Sequence, residues 1–168
     1  MLVQNQPAAE GCDRSSFAQD VNGCFGARPS SPSIFMQPPM NADERREELD
    51  RITERIIGCA QRVSNVLGCG FLEKVYENAL VIELRKSGIV AEQQRDVAVC
   101  YDDQVVGQYT ADLLVENSVI VELKAVSALD EVHRAQCLNY LKATGLSVCL
   151  LINFGKPRLE VKRIVSNF

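Results

Sequence analysis

Residues 109–126 read YTADLLVENSVIVELKAV and decide the fold. Two apolar runs, 111–115 and 119–124, are separated by Glu116 and Asn117. Two such residues between apolar runs are typical of a tight turn that joins antiparallel strands. The stretch therefore predicts two neighbouring strands of one sheet.

Charged residues interrupt both strands. Asp112 lies near the start of the first strand, and Glu122 lies at the end of the second. A tight turn between the strands would bring both carboxylates to one edge of the sheet. Lys124 lies two residues after Glu122 and would therefore share its face. Carboxylates bind Mg²⁺, and a nearby ammonium can orient an attacking water. Acidic residues in strands are more often solvated edge charges. The apolar neighbours of Glu122 favour burial instead, where a charge requires a partner or an ion.

Two helices are predicted before the strands. The first has Asn41 or Asp43 as candidate N-cap and ends near residues 68–70, and the second runs over about 72–88. Apolar residues recur at three- and four-residue spacing along the first helix, which is typical of an amphipathic helix. They are Leu49, Ile52, Ile56, Ala60, Val63 and Leu67.

After residue 88 the hydrophobic period changes to two. Residues 97–101 alternate up to a turn at Asp102 and Asp103, and the chain then returns over 105–115, so that three strands form a meander. A helix over 130–144 and strands over 148–153 and 159–164 follow. The order ααβββαββ predicts an α/β (α+β) domain with a mixed β-sheet flanked by helices.

The N-terminal segment differs in composition from the rest of the chain. Five of the six prolines lie in residues 1–41, where no apolar periodicity persists. Such a segment buries too little apolar surface to offset the entropy lost on ordering. We therefore expect a disordered tail over 1–41 and one domain over 42–168, within the usual size of about 100–200 residues.

Composition and charge exclude several classes of protein. No apolar run approaches the roughly 18 residues that a membrane-spanning helix requires. The net charge of −4 disfavours a basic protein that coats nucleic acid, but a nuclease whose carboxylates bind metal ions need not be basic. The seven cysteines show no zinc-site spacing, and no signal peptide is recognisable, so we expect reduced thiols and a cytoplasmic location.

Glu73 is a further candidate for chemistry. It lies in GFLEKVY at residues 70–76, in the first turn of the second helix, on a face shared with Tyr76 or Glu77. A carboxylate there can bind a metal ion, or it can simply complement the positive end of the helix dipole.

Gln136 and Tyr140 are spaced i, i+4 on the predicted third helix and would present an amide and a phenol along one face. The alternative is an ordinary amphipathic helix with Leu138 and Leu141 directed inward.

Four motifs in this order resemble the GxxExxY family, a branch of the PD-(D/E)XK nuclease superfamily with a RecB-type Q-x-x-x-Y element. Residues 70–76 match the signature that gives the family its name, and the resemblance covers roughly residues 50–168. The other three motifs are YTADLLV at 109–115 with VIVELKAV at 119–126, HRAQCLNYL at 133–141 and LINFG at 151–155.

The resemblance implies a restriction-endonuclease-like core and a Mg²⁺- or Mn²⁺-dependent nuclease that hydrolyses phosphodiester bonds, with DNA as the expected substrate. Ala111 stands where the superfamily name has proline, and the cysteine spacing does not match the iron–sulfur subgroup, so no iron–sulfur cluster is expected. The implied metal ligands are Asp112, Glu122, the Leu123 carbonyl and Glu73, and the implied catalytic residues are Lys124, Gln136 and Tyr140.

A catalytically silent module that keeps the nuclease fold and binds nucleic acid or protein is the alternative. The low basic content and the absence of a recognisable substrate-binding region favour this alternative. The intact set of Asp112, Glu122 and Lys124 favours the enzyme. The oligomeric state is open in both cases.

Overall fold

The computed structural model describes residues 41–166. The expected order ααβββαββ is confirmed within this range, and the tail predicted over 1–41 lies outside the described residues except for Asn41. The elements are α1 (Ala42–Leu67), α2 (Glu73–Lys86), β1 (Ala91–Tyr101), β2 (Gln104–Val115), β3 (Val119–Lys124), α3 (Glu131–Thr144), β4 (Val148–Asn153) and β5 (Glu160–Val165).

The five strands form one mixed sheet in the order β1-β2-β3-β4-β5. Strands β3 and β4 are parallel, and the other neighbours are antiparallel. Both predicted turns have two residues with positive φ, at 52° and 60° for Asp102 and Asp103 and at 51° for both Glu116 and Asn117. This is the geometry of a type I′ turn, whose twist matches that of the flanking strands. The meander β1-β2-β3 is therefore confirmed, and it places β3 at the centre of the sheet.

The sheet separates two apolar cores. Helices α1 and α2 pack on one face and α3 packs on the other. Strand β4 is buried along its whole length, as expected for a strand covered by helices on both faces. The domain is thus a mixed sheet between helices, as the sequence predicts.

Helix α1 begins with a capping box that decides between the two candidate caps. The Asn41 side chain accepts a hydrogen bond from the Glu44 amide at 2.8 Å, and the Glu44 carboxylate accepts one from the Asn41 amide at 2.9 Å. Asn41 is therefore the N-cap, and Asp43 lies within the first turn. None of the helices within residues 41–166 combines the length and the apolar character needed to cross a membrane.

Tyr76 fixes the turn between α1 and α2. Its hydroxyl donates to the Gly68 carbonyl at 3.0 Å and accepts from the Phe71 amide at 3.2 Å. Its buried ring stacks on Phe154, with the ring centroids 4.6 Å apart. Gly70 within this turn has φ 110°, a conformation that favours glycine. The tyrosine of the 70–76 motif therefore has a structural role, because it sets where α2 begins.

The segment after β3 is tied to the end of β4. The buried Asn153 side chain donates to the Val126 carbonyl at 2.9 Å and accepts from the amides of Val126 at 3.0 Å and Gly155 at 2.9 Å. The Phe154 amide donates to the Lys124 carbonyl at 2.7 Å. These bonds fix the main chain that follows Glu122, Leu123 and Lys124.

We expect Gly155→Ala to destabilise the protein by about 2 kcal/mol or more, because overpacking forces the backbone to shift. A Cβ atom at Gly155 would collide with the main-chain nitrogen and oxygen of Val126. The matched control is Gly107→Ala, whose added Cβ would lie 3.9 Å from the nearest atom, on Val99. Urea unfolding measures both free energies, and equal stabilities of the two variants would contradict the tight approach at Gly155.

Candidate functional site

Asp112 lies where strands β2 and β3 part. The backbone pairing of these strands ends where Leu113 lies opposite Val121. Beyond that pair, the Asp112 side chain replaces the backbone, because its Oδ2 atom accepts a hydrogen bond from the Leu123 amide at 2.8 Å. Because β2 is one continuous strand, Asp112 lies close to its end and not near its start. Burial raises the pKa of Asp112, although the Leu123 amide and the Lys124 charge lower it.

Glu122 lies in the central strand and is only 2% exposed. Its Oε1 atom accepts a hydrogen bond from the Lys124 ammonium at 2.6 Å, whereas its buried Oε2 atom has no hydrogen-bond partner. Burial, followed by the negative charge of Asp112, raises the pKa of Glu122 to about 7 in spite of Lys124. The Oε2 atom of Glu122 is therefore a buried acceptor that has neither a hydrogen-bond donor nor a cation beside it.

Lys124 is the cation of this cluster. It shares the face of Glu122 because the two residues are two positions apart in β3. Burial alone would lower the pKa of Lys124, but the hydrogen bond and the charge of Glu122, with Glu73 and Asp112, raise it overall. Lys124 therefore remains an ammonium at neutral pH and offers two N–H donors beyond the one directed at Glu122.

Glu73 reaches the same cluster from α2. It is the first residue of the helix and is half-buried, and the main chain of Ala125 favours its ionised form. Burial raises the pKa of Glu73, the Lys124 charge opposes this, and the Asp112 charge adds to it. The carboxylate therefore interacts with two other charged groups of the cluster as well as with the end of its own helix.

Gln136 and Tyr140 lie on α3 and bind each other. The Gln136 amide donates to the Tyr140 hydroxyl at 2.8 Å, and that hydroxyl donates to the Thr110 carbonyl at 3.0 Å. Neither bond involves Lys124. Burial, with the charge of Glu122, raises the pKa of Tyr140 to about 12, so the phenol stays protonated.

The inward face of α3 contains both leucines expected there. Leu141 is buried, Leu138 is half-buried and packs against the same core, and Cys137 and Tyr140 complete the buried face. The helix thus directs Tyr140 towards the sheet, next to the strand that carries Asp112.

The oxygen atoms of this cluster suit a hard divalent cation. No set of three or more histidine, cysteine, aspartate or glutamate side chains within residues 41–166 forms a preformed metal cage. Mg²⁺ does not require one, since it is usually held by one or two carboxylates together with waters and substrate phosphates. The unpartnered Oε2 atom of Glu122 is the acceptor that such an ion would satisfy. The residues present therefore fit Mg²⁺ or Mn²⁺.

Two supporting residues are not identified by sequence reasoning. Glu77, one helical turn after Glu73, is buried and accepts hydrogen bonds from α2 and β1, although the sequence places it only on the face of Glu73. Asn153 holds the segment after Lys124, and the available signal is an amide at the end of an otherwise apolar strand. Buried polar side chains of this kind depend on tertiary partners that no local pattern reveals.

We expect Glu122→Gln to change how stability depends on pH. An unfolded glutamate ionises near 4.5, whereas folded Glu122 keeps its proton up to about pH 7. Between these two pH values the folded state binds more protons than the unfolded state, so the free energy of unfolding decreases as the pH rises. The total decrease is on the order of 3 kcal/mol, and above about pH 7 Glu122 contributes no further change.

Unfolding in chelator at about pH 5 and about pH 8 tests this expectation. Glu122→Gln alters the hydrogen bond from Lys124 at both pH values. The informative quantity is therefore the stability of Glu122→Gln relative to wild type, compared between the two pH values. Glu122→Gln should gain on wild type at the higher pH, and the exposed control Glu54→Gln should not. A stability difference that does not vary with pH would contradict the raised pKa of Glu122.

Comparison with known proteins assigns the family. A search of curated proteins finds no match. The chain is similar to a solved structure titled "Crystal structure of SSO0001" at 15% identity over 92% of this chain and 75% of that chain, with a TM-score of 0.47. The family model of the PD-(D/E)XK nuclease superfamily matches residues 50–164, from α1 to β5. Because this match spans more than half of the chain, the protein belongs to the PD-(D/E)XK nuclease superfamily.

Proposed function

We propose that this protein is a Mg²⁺- or Mn²⁺-dependent nuclease that hydrolyses phosphodiester bonds in DNA. The observation that carries the proposal is the buried Glu122 carboxylate, which has Lys124 on one oxygen and no partner on the other. A purely structural ion pair would gain from hydrogen bonds to both oxygens. The free oxygen next to Asp112 therefore supports a cation site.

The proposed ligands of the ion are Asp112, Glu122 and the Leu123 carbonyl, with Glu73 binding directly or through water. Because the N–H and C=O of one strand residue point to the same side, the Leu123 amide on Asp112 indicates that the Leu123 carbonyl faces the same gap between β2 and β3. A bound divalent ion would polarise the phosphate and lower the pKa of water.

Lys124 is the proposed catalytic cation. Its ammonium is held by Glu122 and retains two free donors, which can position the attacking water and stabilise the extra negative charge on the phosphate in the transition state. Because Glu122 restrains the side chain, the donors are oriented before the substrate binds.

Gln136 and Tyr140 are proposed to orient the scissile phosphate or Lys124. The Tyr140 phenol is protonated and donates a hydrogen bond to the Thr110 carbonyl. It also accepts a hydrogen bond from one of the two N–H groups of the Gln136 side-chain amide. The second amide proton of Gln136 is then available for a phosphate oxygen.

The finer assignments belong to the same proposal. The 70–76 motif, with its Glu73 and Tyr76, supports membership of the GxxExxY branch, and the Gln136 and Tyr140 pair supports a RecB-type Q-x-x-x-Y element. A cytoplasmic location and DNA as the substrate, in preference to RNA, are proposed with them.

We expect Lys124→Ala to reduce metal-dependent cleavage of mixed DNA substrates by about 100-fold or more, since one oriented donor in an active site contributes that much. The matched control is Lys142→Ala, which removes an exposed lysine of α3 and should cleave as wild type does. Equal nicking by wild type and Lys124→Ala would indicate a contaminating nuclease. No cleavage by wild type with either Mg²⁺ or Mn²⁺ would favour the silent binding module.

We expect Glu73→Gln to weaken Mn²⁺ binding and to raise the melting temperature of the metal-free protein. Burial and the charges of Asp112 and Glu77 disfavour ionised Glu73 in the absence of a cation, so removing its charge relieves repulsion. Calorimetric titration of Mn²⁺ and melting in chelator measure both effects, with Glu54→Gln as the exposed control.

A helix-dipole role for Glu73 predicts the opposite pair of results. Glu73→Gln would then lower stability by about 0.3–1 kcal/mol and leave the Mn²⁺ affinity unchanged. That outcome would remove Glu73 from the proposed ligands.

A further inference from the structure

Glu77 is buried and accepts more hydrogen bonds than a carboxylate on a helix surface needs. The residue is 3% exposed, and three side-chain donors contact its carboxylate. Its Oε1 atom accepts from the Lys74 ammonium at 2.6 Å and the Gln93 amide at 2.9 Å, and its Oε2 atom accepts from the Gln94 amide at 2.9 Å. One carboxylate on α2 therefore binds two consecutive residues of β1.

Consecutive residues of a regular strand point to opposite faces of the sheet, so Gln93 and Gln94 would not normally reach the same group. Gln94 has φ 53°, in the left-handed region. This conformation breaks the alternation and directs both amides to Glu77. It costs about 1–2 kcal/mol for a residue other than glycine, so the contacts with Glu77 must offset it.

The distorted residue lies directly across from Asp112. The registered pairs of β1 and β2 include Gln93 with Leu113 and Arg95 with Ala111, which leaves Gln94 and Asp112 opposite each other between them. The alternation of β2 also changes here, because Ala111 packs into the core beneath α3 whereas Leu113 packs into the core beneath α1 and α2. Both strands therefore depart from regular geometry at the position that carries Asp112.

We propose that Glu77 and Gln94 are positioning residues, and that the left-handed conformation of Gln94, held by Glu77, turns Asp112 towards the Leu123 amide. The relevance of the Glu77 and Gln94 contact to catalysis rests on the proposed nuclease function. Its effect on the orientation of Asp112 does not depend on that function.

Two substitutions of Gln94 isolate the backbone conformation. Gln94→Gly and Gln94→Val both lose the amide that binds Glu77, and neither changes the charge near the site. Glycine adopts positive φ readily, whereas β-branched valine disfavours it and favours an extended strand. Gln108→Gly and Gln108→Val are the matched controls, at an exposed position of β2 in the regular register with Ala98.

The first measurement is the Leu123 amide resonance of the full chain by NMR, with Asp112→Ala as the reference for a lost hydrogen bond. We expect Gln94→Val to move this resonance towards its position in Asp112→Ala, and Gln94→Gly to leave it near the wild-type position. A role in stability alone would lower the melting temperature without moving the Leu123 amide in the folded protein.

The second measurement is the Mn²⁺ affinity by calorimetry. We expect Gln94→Val to weaken binding about 10-fold or more, as is typical when a residue that supports a ligand is lost, and Gln94→Gly to stay within about 3-fold of wild type. In an Asp112→Asn background Gln94→Val should have no further effect, because both changes act through the same ligand.

The outcomes separate this inference from the proposed function. A Leu123 amide that responds equally to glycine and valine at position 94, or to neither, overturns the positioning role whether or not the protein binds metal. A wild-type protein that binds no Mn²⁺, yet shows the expected resonance shifts, contradicts the metal-dependent nuclease and leaves the positioning of Asp112 supported.

Discussion

The burial of Glu122 in the central strand is the constraint on which the site depends. An ionised carboxylate removed from water costs several kcal/mol unless partners replace its hydration. The fold supplies one partner, Lys124, and leaves the second oxygen unsatisfied. A group held in this state has a raised pKa and a strong affinity for positive charge, because burial disfavours the bare anion. The sheet maintains this arrangement because Val121 and Leu123, on either side of Glu122, are anchored in the opposite core.

The motifs at residues 70–76 and 151–155 act as one structural unit although they lie far apart in sequence. Tyr76 fixes the turn before α2 and stacks on Phe154, and the Phe154 amide binds the Lys124 carbonyl. Two contacts thus connect the helix that carries Glu73 to the strand that carries Lys124. Stacked aromatic rings and buried main-chain hydrogen bonds tolerate little displacement, so the distance between the helix and the strand is set by packing and not by the charges themselves.

Much of the fold follows from local patterns. The apolar stripe of α1, the two tight turns and the alternation in the meander are properties of neighbouring residues, so the sequence predicts the element order and the meander pairing. The approach of Asp112 to β3 also follows, because the turn at Glu116 and Asn117 sets the register. The conformation of Gln94 does not follow, since strand alternation predicts that Gln93 and Gln94 diverge, whereas in the tertiary structure both side chains bind Glu77. Leu138 is directed inward as expected but stays half-buried, because the position of α3 on the sheet decides how fully each side of the helix is covered.

Electrostatics connects the stability of the domain to its proposed activity. Burial is the leading cause of the raised pKa at Glu73, Asp112 and Glu122, so each carboxylate loses free energy on ionising in the folded protein without a cation. A bound divalent ion would reverse the sign of this contribution, since the same low-dielectric surroundings would strengthen its attraction to the carboxylates. A phosphate approaching Asp112 and Glu122 would be repelled by them, and Lys124 alone cannot neutralise both acids and the substrate. In a chain with a net charge of −4, the proposed binding of a polyanion at this site would be favoured by cations that bind with it.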